Sequence, residues 1–148
     1  MSKNGFLAIT SVARADGLVR PDEAKSLLQA ARECGLSEAD LAEVTQATER
    51  GLPLENVDLS NLTGPERALT YAFAMWLAKV DGIVNTDELQ SLRALGAQLD
   101  LPDLKLQAAT SAALDIACLP GGNRPEKFEF AKLEARLKEK LPVLMAGG

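Results

Sequence analysis

Two stretches of this chain carry nearly the same text 65 positions apart, and that duplication limits the folds available more than any other feature. Residues 13 to 27 read ARADGLVRPDEAKSL, and residues 78 to 92 read AKVDGIVNTDELQSL, with no gap between the two copies. Asp16 matches Asp81, Gly17 matches Gly82 and Val19 matches Val84. Asp22, Glu23, Ser26 and Leu27 match Asp87, Glu88, Ser91 and Leu92. The unit occurs only twice and is longer than a solenoid module, so the expected arrangement is a bundle with pseudo-two-fold symmetry and not an open array.

The flanking pattern is helical. Phe6, Ile9, Val12 and Ala13 share one face, which predicts a helix over residues 3–15. Pro21 suits the first position of a second helix, with Asp22 and Glu23 in its first turn and Gly35 at its end. Ser37 through Asp40 resembles a capping box that opens a third helix reaching Arg50. Residues 51–62 form a loop whose apolar residues place it against the body of the domain.

The second half repeats the plan. Thr63 and Glu66 make a capping box before a helix over 64–80, with Tyr71, Ala74, Leu77 and Ala78 on one side. Asn85 caps a helix to about Leu99, and Pro102 opens another to about Ala117. Pro125 begins a last helix, on which Phe130, Leu133, Leu137 and Leu141 form one stripe. No alternating pattern is long enough for a strand. The expected fold is therefore all-α, one domain of about seven helices, with repeat halves at 4–50 and 64–117 and a final helix at 125–141 that packs across both.

Composition narrows the function. Only 4% of residues are aromatic, so the core must be built mainly of Leu, Ala and Val. A net charge of −5 repels phosphate backbones and disfavours nucleic acid as a partner. There is no His, which removes the usual general base and every His-based metal site. Cys34 and Cys118 are too few for a zinc site or disulfide framework. Cys34 aligns with Leu99 in the repeat and is expected as a small buried hydrophobe, and Trp76 as core. The opening MSKNGFLAITSVARA mimics a secretory leader, but the second repeat has the same kind of segment internally, so both read as buried helices of a cytoplasmic protein. No apolar run reaches the ~18 residues of a membrane span.

The DG…DE element first suggests a calcium-binding EF-hand. With Gly17 at loop position six, positions one and three fall on Val12 and Arg14, and on Leu77 and Lys79 in the second copy. None of these can ligate calcium, so a standard EF-hand is rejected. Asp16 and Asp81 still follow helix C-termini, where a carboxylate costs about 0.3–1 kcal/mol against the macrodipole. Hydrogen bonds from the following turn can offset that cost, and so can a cation. Were the two loops neighbours, Asp16, Asp22, Glu23, Asp81, Asp87 and Glu88 would share one surface. Such oxygen-only ligation suits calcium, magnesium or manganese. The first-turn carboxylates also have an ordinary explanation in capping and dipole effects.

Taken together, A-[RK]-x-D-G-x-V-x-x-x-E-x-x-x-[LI] occurring twice in a helical setting resembles the TerB-like fold, the family of bacterial tellurite-resistance TerB proteins. The resemblance covers roughly residues 5 to 141. It implies a helical bundle with an internal repeat, an acidic surface that binds a divalent metal, and a part in stress-response complexes at the cytoplasmic membrane. The positions matching the motif are Asp16, Glu23, Asp81 and Glu88, with Asp22 and Asp87 beside them. Arg14, Arg20 and Lys79 lie close by and would weaken a cation site by repulsion or by pairing. A non-enzymatic protein that binds metal weakly at the paired loops is the first expectation. A metal-free adaptor that engages a protein partner is the second. A carboxylate-based hydrolase ranks last, since no nucleophile, His or phosphate-cradling loop accompanies the acids.

Overall fold

A computed structural model describes residues 2–14, 21–80, 86–119 and 129–142, with the side chains of Asp22, Lys79, Val80 and Glu88 left aside. Among the described residues there are seven α-helices and no strand: α1 (Lys3–Ala13), α2 (Pro21–Glu33), α3 (Glu38–Arg50), α4 (Gly64–Val80), α5 (Thr86–Gln98), α6 (Asp103–Ala117) and α7 (Phe130–Lys140). One turn of 3-10 helix, Leu54–Asn56, interrupts the α3–α4 connection.

The middle of the bundle is α4. The sequence pattern predicts one apolar side, but every residue from Ala68 to Ala78 is buried. A helix apolar all round has no solvent face and must be enclosed. Its neighbours are α6, α1, α5 and α7. Phe73 sits at the junction. Its ring meets Phe6 of α1 edge-on at 6.3 Å and Trp76 edge-on at 6.0 Å, and it lies 6.1 Å from Phe130 of α7. Burial of each such side chain contributes about 1.5–3 kcal/mol. Edge-to-face geometry adds about 0.5–1.5 kcal/mol per pair. Trp76 is thus a core residue, as expected for a large aromatic side chain.

Around this centre α1 packs on α3, and α2 on α3. In the second half α4 packs on α6, the most extensive helix pairing of the bundle, and α7 packs on α6 and on α4. The last helix therefore leans chiefly on α6 and α4 and not equally on both halves. Exposed ion pairs line that seam: Asp115 of α6 meets Lys140 at 3.1 Å and Arg136 at 3.7 Å. The helix also starts later than Pro125, because Glu129 is extended (φ −117°, ψ 110°). Pro125 itself lies outside the described residues, as does Asn85. The 51–62 connection folds inward as expected, burying Val57, Leu59 and Leu62. Cys34 is only half-buried, at the end of α2 and against the edge of the core. Desolvation pushes its thiol pKa up, so it is less ionised than a free cysteine.

Helix ends follow sequence cues closely. Thr63 and Glu66 form a reciprocal capping box, the Thr63 N–H donating to Glu66 Oε2 at 3.1 Å and the Glu66 N–H to Thr63 Oγ1 at 3.3 Å. Ser37 accepts from the Asp40 N–H at 3.2 Å. α2 closes with a Schellman turn: Leu36 N–H donates to Ala31 O, Gly35 N–H to Arg32 O, and Gly35 has φ +83°. α5 closes the same way, Leu101 N–H to Gly96 O and Asp100 N–H to Ala97 O, with Asp100 at φ +55°. Asp100 is the one non-glycine residue with positive φ among those described.

Because an L-residue in the left-handed region is strained and a carboxylate opposes the helix dipole there, Asp100→Gly is expected to stabilise the protein by about 0.5–1 kcal/mol. Urea unfolding of the two proteins, compared at equal m-value, measures this. A lower midpoint for the variant would contradict the Schellman reading.

Candidate functional site

The expected metal ligands divide into three groups. Asp16 and Asp81 lie outside the described residues. Asp22 and Glu88 fall in the first turns of α2 and α5, with their side chains not described. Glu23 and Asp87 are described fully, and they differ. Glu23 is 4% exposed and points into the protein from the first turn of α2. Asp87 is exposed and, with Gln90, Ser91 and Ala94 of α5 and Leu54 of the connection, borders a shallow hollow. Among the described residues no three acidic or cysteine side chains are grouped closely enough to hold a metal ion. A cation site of the expected kind would need carboxylates outside the described residues in addition to Glu23.

Arg14, expected to crowd the acidic bend, has a defined task. Its Nη1 donates to the Thr48 carbonyl at 2.9 Å and to the Glu49 carbonyl at 3.1 Å, the last turn of α3. Those acceptors have no partner within their own helix, so the guanidinium serves as a cap. Gly51 follows in a conformation that side chains rarely adopt (φ +82°, ψ 159°), and its N–H donates to Ala47 O. A Cβ at Gly51 would lie 2.9 Å from Arg14 Nε.

Arg67, which the sequence reading did not single out, plays a similar part in the second half. Its Nη1 donates to Leu99 O at 2.7 Å, at the end of α5. Its Nε donates to Leu62 O at 3.0 Å and its Nη2 to Ser60 O at 3.3 Å. It fastens the α3–α4 connection to α5. Arginines rarely announce such roles in sequence, because their acceptors are backbone atoms carrying no residue signature.

Two further concave regions are lined by none of the expected ligands. A cleft of about 550 Å³ opens between α1, the C-terminal half of α3 and the connection. Its floor is apolar, made by Leu7, Ala47, Leu52 and Val57, and its rim carries Lys3, Asn4, Glu43, Gln46, Arg50 and Asp58. A second groove of about 500 Å³ runs along α6, past Tyr71, Leu106, Thr110 and Leu114. Leu114 is 41% exposed there, and Leu104 on the same helix is 79% exposed.

At the rim of the cleft, Asp58 Oδ1 accepts from the Ser60 N–H at 3.0 Å and from Ser60 Oγ at 2.6 Å. These two bonds favour the ionised form and hold the Asp58 pKa below the usual carboxylate range. No helix among the described residues is long and apolar enough to cross a membrane. No family model, curated protein or solved structure matches the chain.

Gly51→Ala should destabilise the fold by about 1–3 kcal/mol, from backbone strain and displacement of Arg14. Thermal and urea melts test this, and an unchanged melting temperature would show that the turn relaxes freely. Ser60→Ala is expected to raise the Asp58 midpoint toward the ordinary carboxylate value in an NMR titration. A depressed folded pKa contributes stability above the unfolded value that is lost as pH falls through the folded one. The variant should accordingly lose a small advantage that the native protein holds above the unfolded carboxylate value and gives up on acidification, and an unmoved midpoint would contradict the assignment.

Proposed function

We propose that the chain is a non-enzymatic, cytoplasmic bacterial protein of TerB-like type, in which a duplicated three-helix unit presents two acidic bends that bind a divalent cation weakly in a stress response of the tellurite-resistance kind. The duplication draws support from helix bounds. α2 and α5 each span 13 residues, and Pro21 and Thr86 lie 65 positions apart. Their Schellman turns, at Gly35 and Asp100, keep the same spacing. α3 and α6 also start 65 positions apart, at Glu38 and Asp103.

The observation that carries the cation reading is the inward burial of Glu23, seven positions after Asp16 in the repeated motif. Glu23 already has a polar or ionic partner in the protein, and a buried carboxylate close to Asp16 in sequence is the type of oxygen donor that a hard cation takes. The full donor set in this proposal is Asp16, Asp22, Glu23, Asp81, Asp87 and Glu88, with calcium, magnesium or manganese as the ion. A second reading, a metal-free adaptor for a protein partner, is favoured by the α6 groove with its exposed Leu114, and by Leu104, exposed on the same helix. The partner in either case fits a membrane-associated complex, reached without a span of this chain's own.

Thermal shift and calorimetry with calcium, magnesium, manganese and zinc separate the two. Cation at ten times its dissociation constant stabilises by about 1.4 kcal/mol, a rise of about 2–6 °C for a chain of this size. That rise should vanish in the Asp16→Asn, Asp81→Asn double variant. No shift at millimolar cation would eliminate the first reading and leave the adaptor.

A further inference from the structure

We infer that the cleft between α1, α3 and the α3–α4 connection is a binding site for a small amphiphilic carboxylate. Its carboxylate would be held by Arg50, and its hydrocarbon body would lie over Leu7, Ala47, Leu52 and Val57. Size and lining fit first: about 550 Å³, with an apolar floor and polar rim, is the usual make-up of a small-molecule site. Leu7, Ala47 and Val57 are buried side chains whose outer faces form that floor.

Charge at the rim then selects the ligand. Four ionic groups stand there, Lys3, Glu43, Arg50 and Asp58. Lys3 Nζ is 3.1 Å from Glu43 Oε2, so these two neutralise each other across the α1–α3 seam. Asp58 is satisfied by both donors of Ser60. Arg50 has no acidic partner among the described residues. Nor is it needed to cap α3, although it stands in the last turn. The Thr48 and Glu49 carbonyls are taken by Arg14, and the Ala47 carbonyl by the Gly51 N–H. The uncompensated group in the cleft is thus a guanidinium, whose planar fork matches a carboxylate. An anion with an apolar tail uses both the free charge and the dry floor. A cation would find its acceptors already occupied.

The test uses the full chain with sodium octanoate as probe and octanamide as its uncharged counterpart. Amide shifts are followed by NMR in the native protein and in Arg50→Gln, an exposed position whose replacement leaves the core untouched. Octanoate should bind saturably with a dissociation constant on the order of millimolar. Shifts should concentrate at Leu7, Ala47, Leu52 and Val57. Arg50→Gln and the octanamide substitution should each weaken binding about tenfold, and Arg50→Lys should restore part of it. Equal affinity for octanamide, undiminished binding by folded Arg50→Gln, shifts confined to another face, or no saturable binding would each overturn the site. The octanamide comparison needs no variant, so it decides the matter even if Arg50→Gln were unstable.

Discussion

Enclosure of α4 is the constraint from which the rest of the architecture follows. Eleven consecutive residues, Ala68 through Ala78, are shielded from water. No single partner can cover a helix on all sides, so α1, α5, α6 and α7 must each take a share. Alanine makes this feasible. Ala68, Ala72, Ala74 and Ala78 on α4, with Ala109, Ala112 and Ala113 on α6, are all buried, and side chains this small let neighbouring helices approach closely. The few aromatic rings are then spent at one point, where Phe73 joins α1, α4 and α7. A chain poor in aromatics can still fill a core of this size when the rings are gathered in one place and small residues let the backbones approach elsewhere.

The second layer of organisation is the treatment of helix C-termini. Four carbonyls at each helix end lack intrahelical donors. This chain supplies donors in two ways. α2 and α5 use local turns with positive φ at Gly35 and Asp100. α3 receives the Arg14 guanidinium from α1, and Arg67 of α4 reaches the last carbonyl of the α5 turn. The arginines do more than cap, because each also joins elements distant in sequence. The charge of Arg14 remains close in sequence to Asp16, but its hydrogen bonds to Thr48 and Glu49 fix where that charge sits.

The readability of the fold from its residues follows the range of the physics involved. Local rules served well: the bounds of α4 and the end of α6 were legible in full, and the start of α2 at Pro21 was written in the residue itself. Capping at Thr63 and Glu66 and the glycine stop at Gly35 are likewise short-range effects. What escaped was set by distant contacts. The apolar side assigned to α4 was too narrow, because burial on the remaining sides depends on α5 and α7, which sequence periodicity cannot place. The start of α7 at Phe130 was not legible either, because the extended backbone of Glu129 before it carries no residue signature. Of the candidate site, the inward turn of Glu23 and outward turn of Asp87 were invisible, since a carboxylate in the first turn of a helix carries the same letter whether or not another element covers it. The cleft was missed altogether, because Leu7, Ala47 and Val57 come from three separate elements.

The two proposed sites meet at one residue. Arg14 stands two positions before Asp16 in the repeated motif. Its side chain also braces Gly51, which lines the cleft, and binds the carbonyls of the turn that carries Arg50. Attraction of Arg14 toward an unbound acidic bend would draw donors away from the end of α3. A cation on the bend would remove that attraction and leave Arg14 on its carbonyls, with the Gly51 turn and Arg50 held in place for an anion. Linkage requires the effect to run equally in both directions. On the proposed cation site, the sign of such coupling follows: cation and carboxylate would favour each other, through an arginine that caps α3 and stands two positions from Asp16 in sequence.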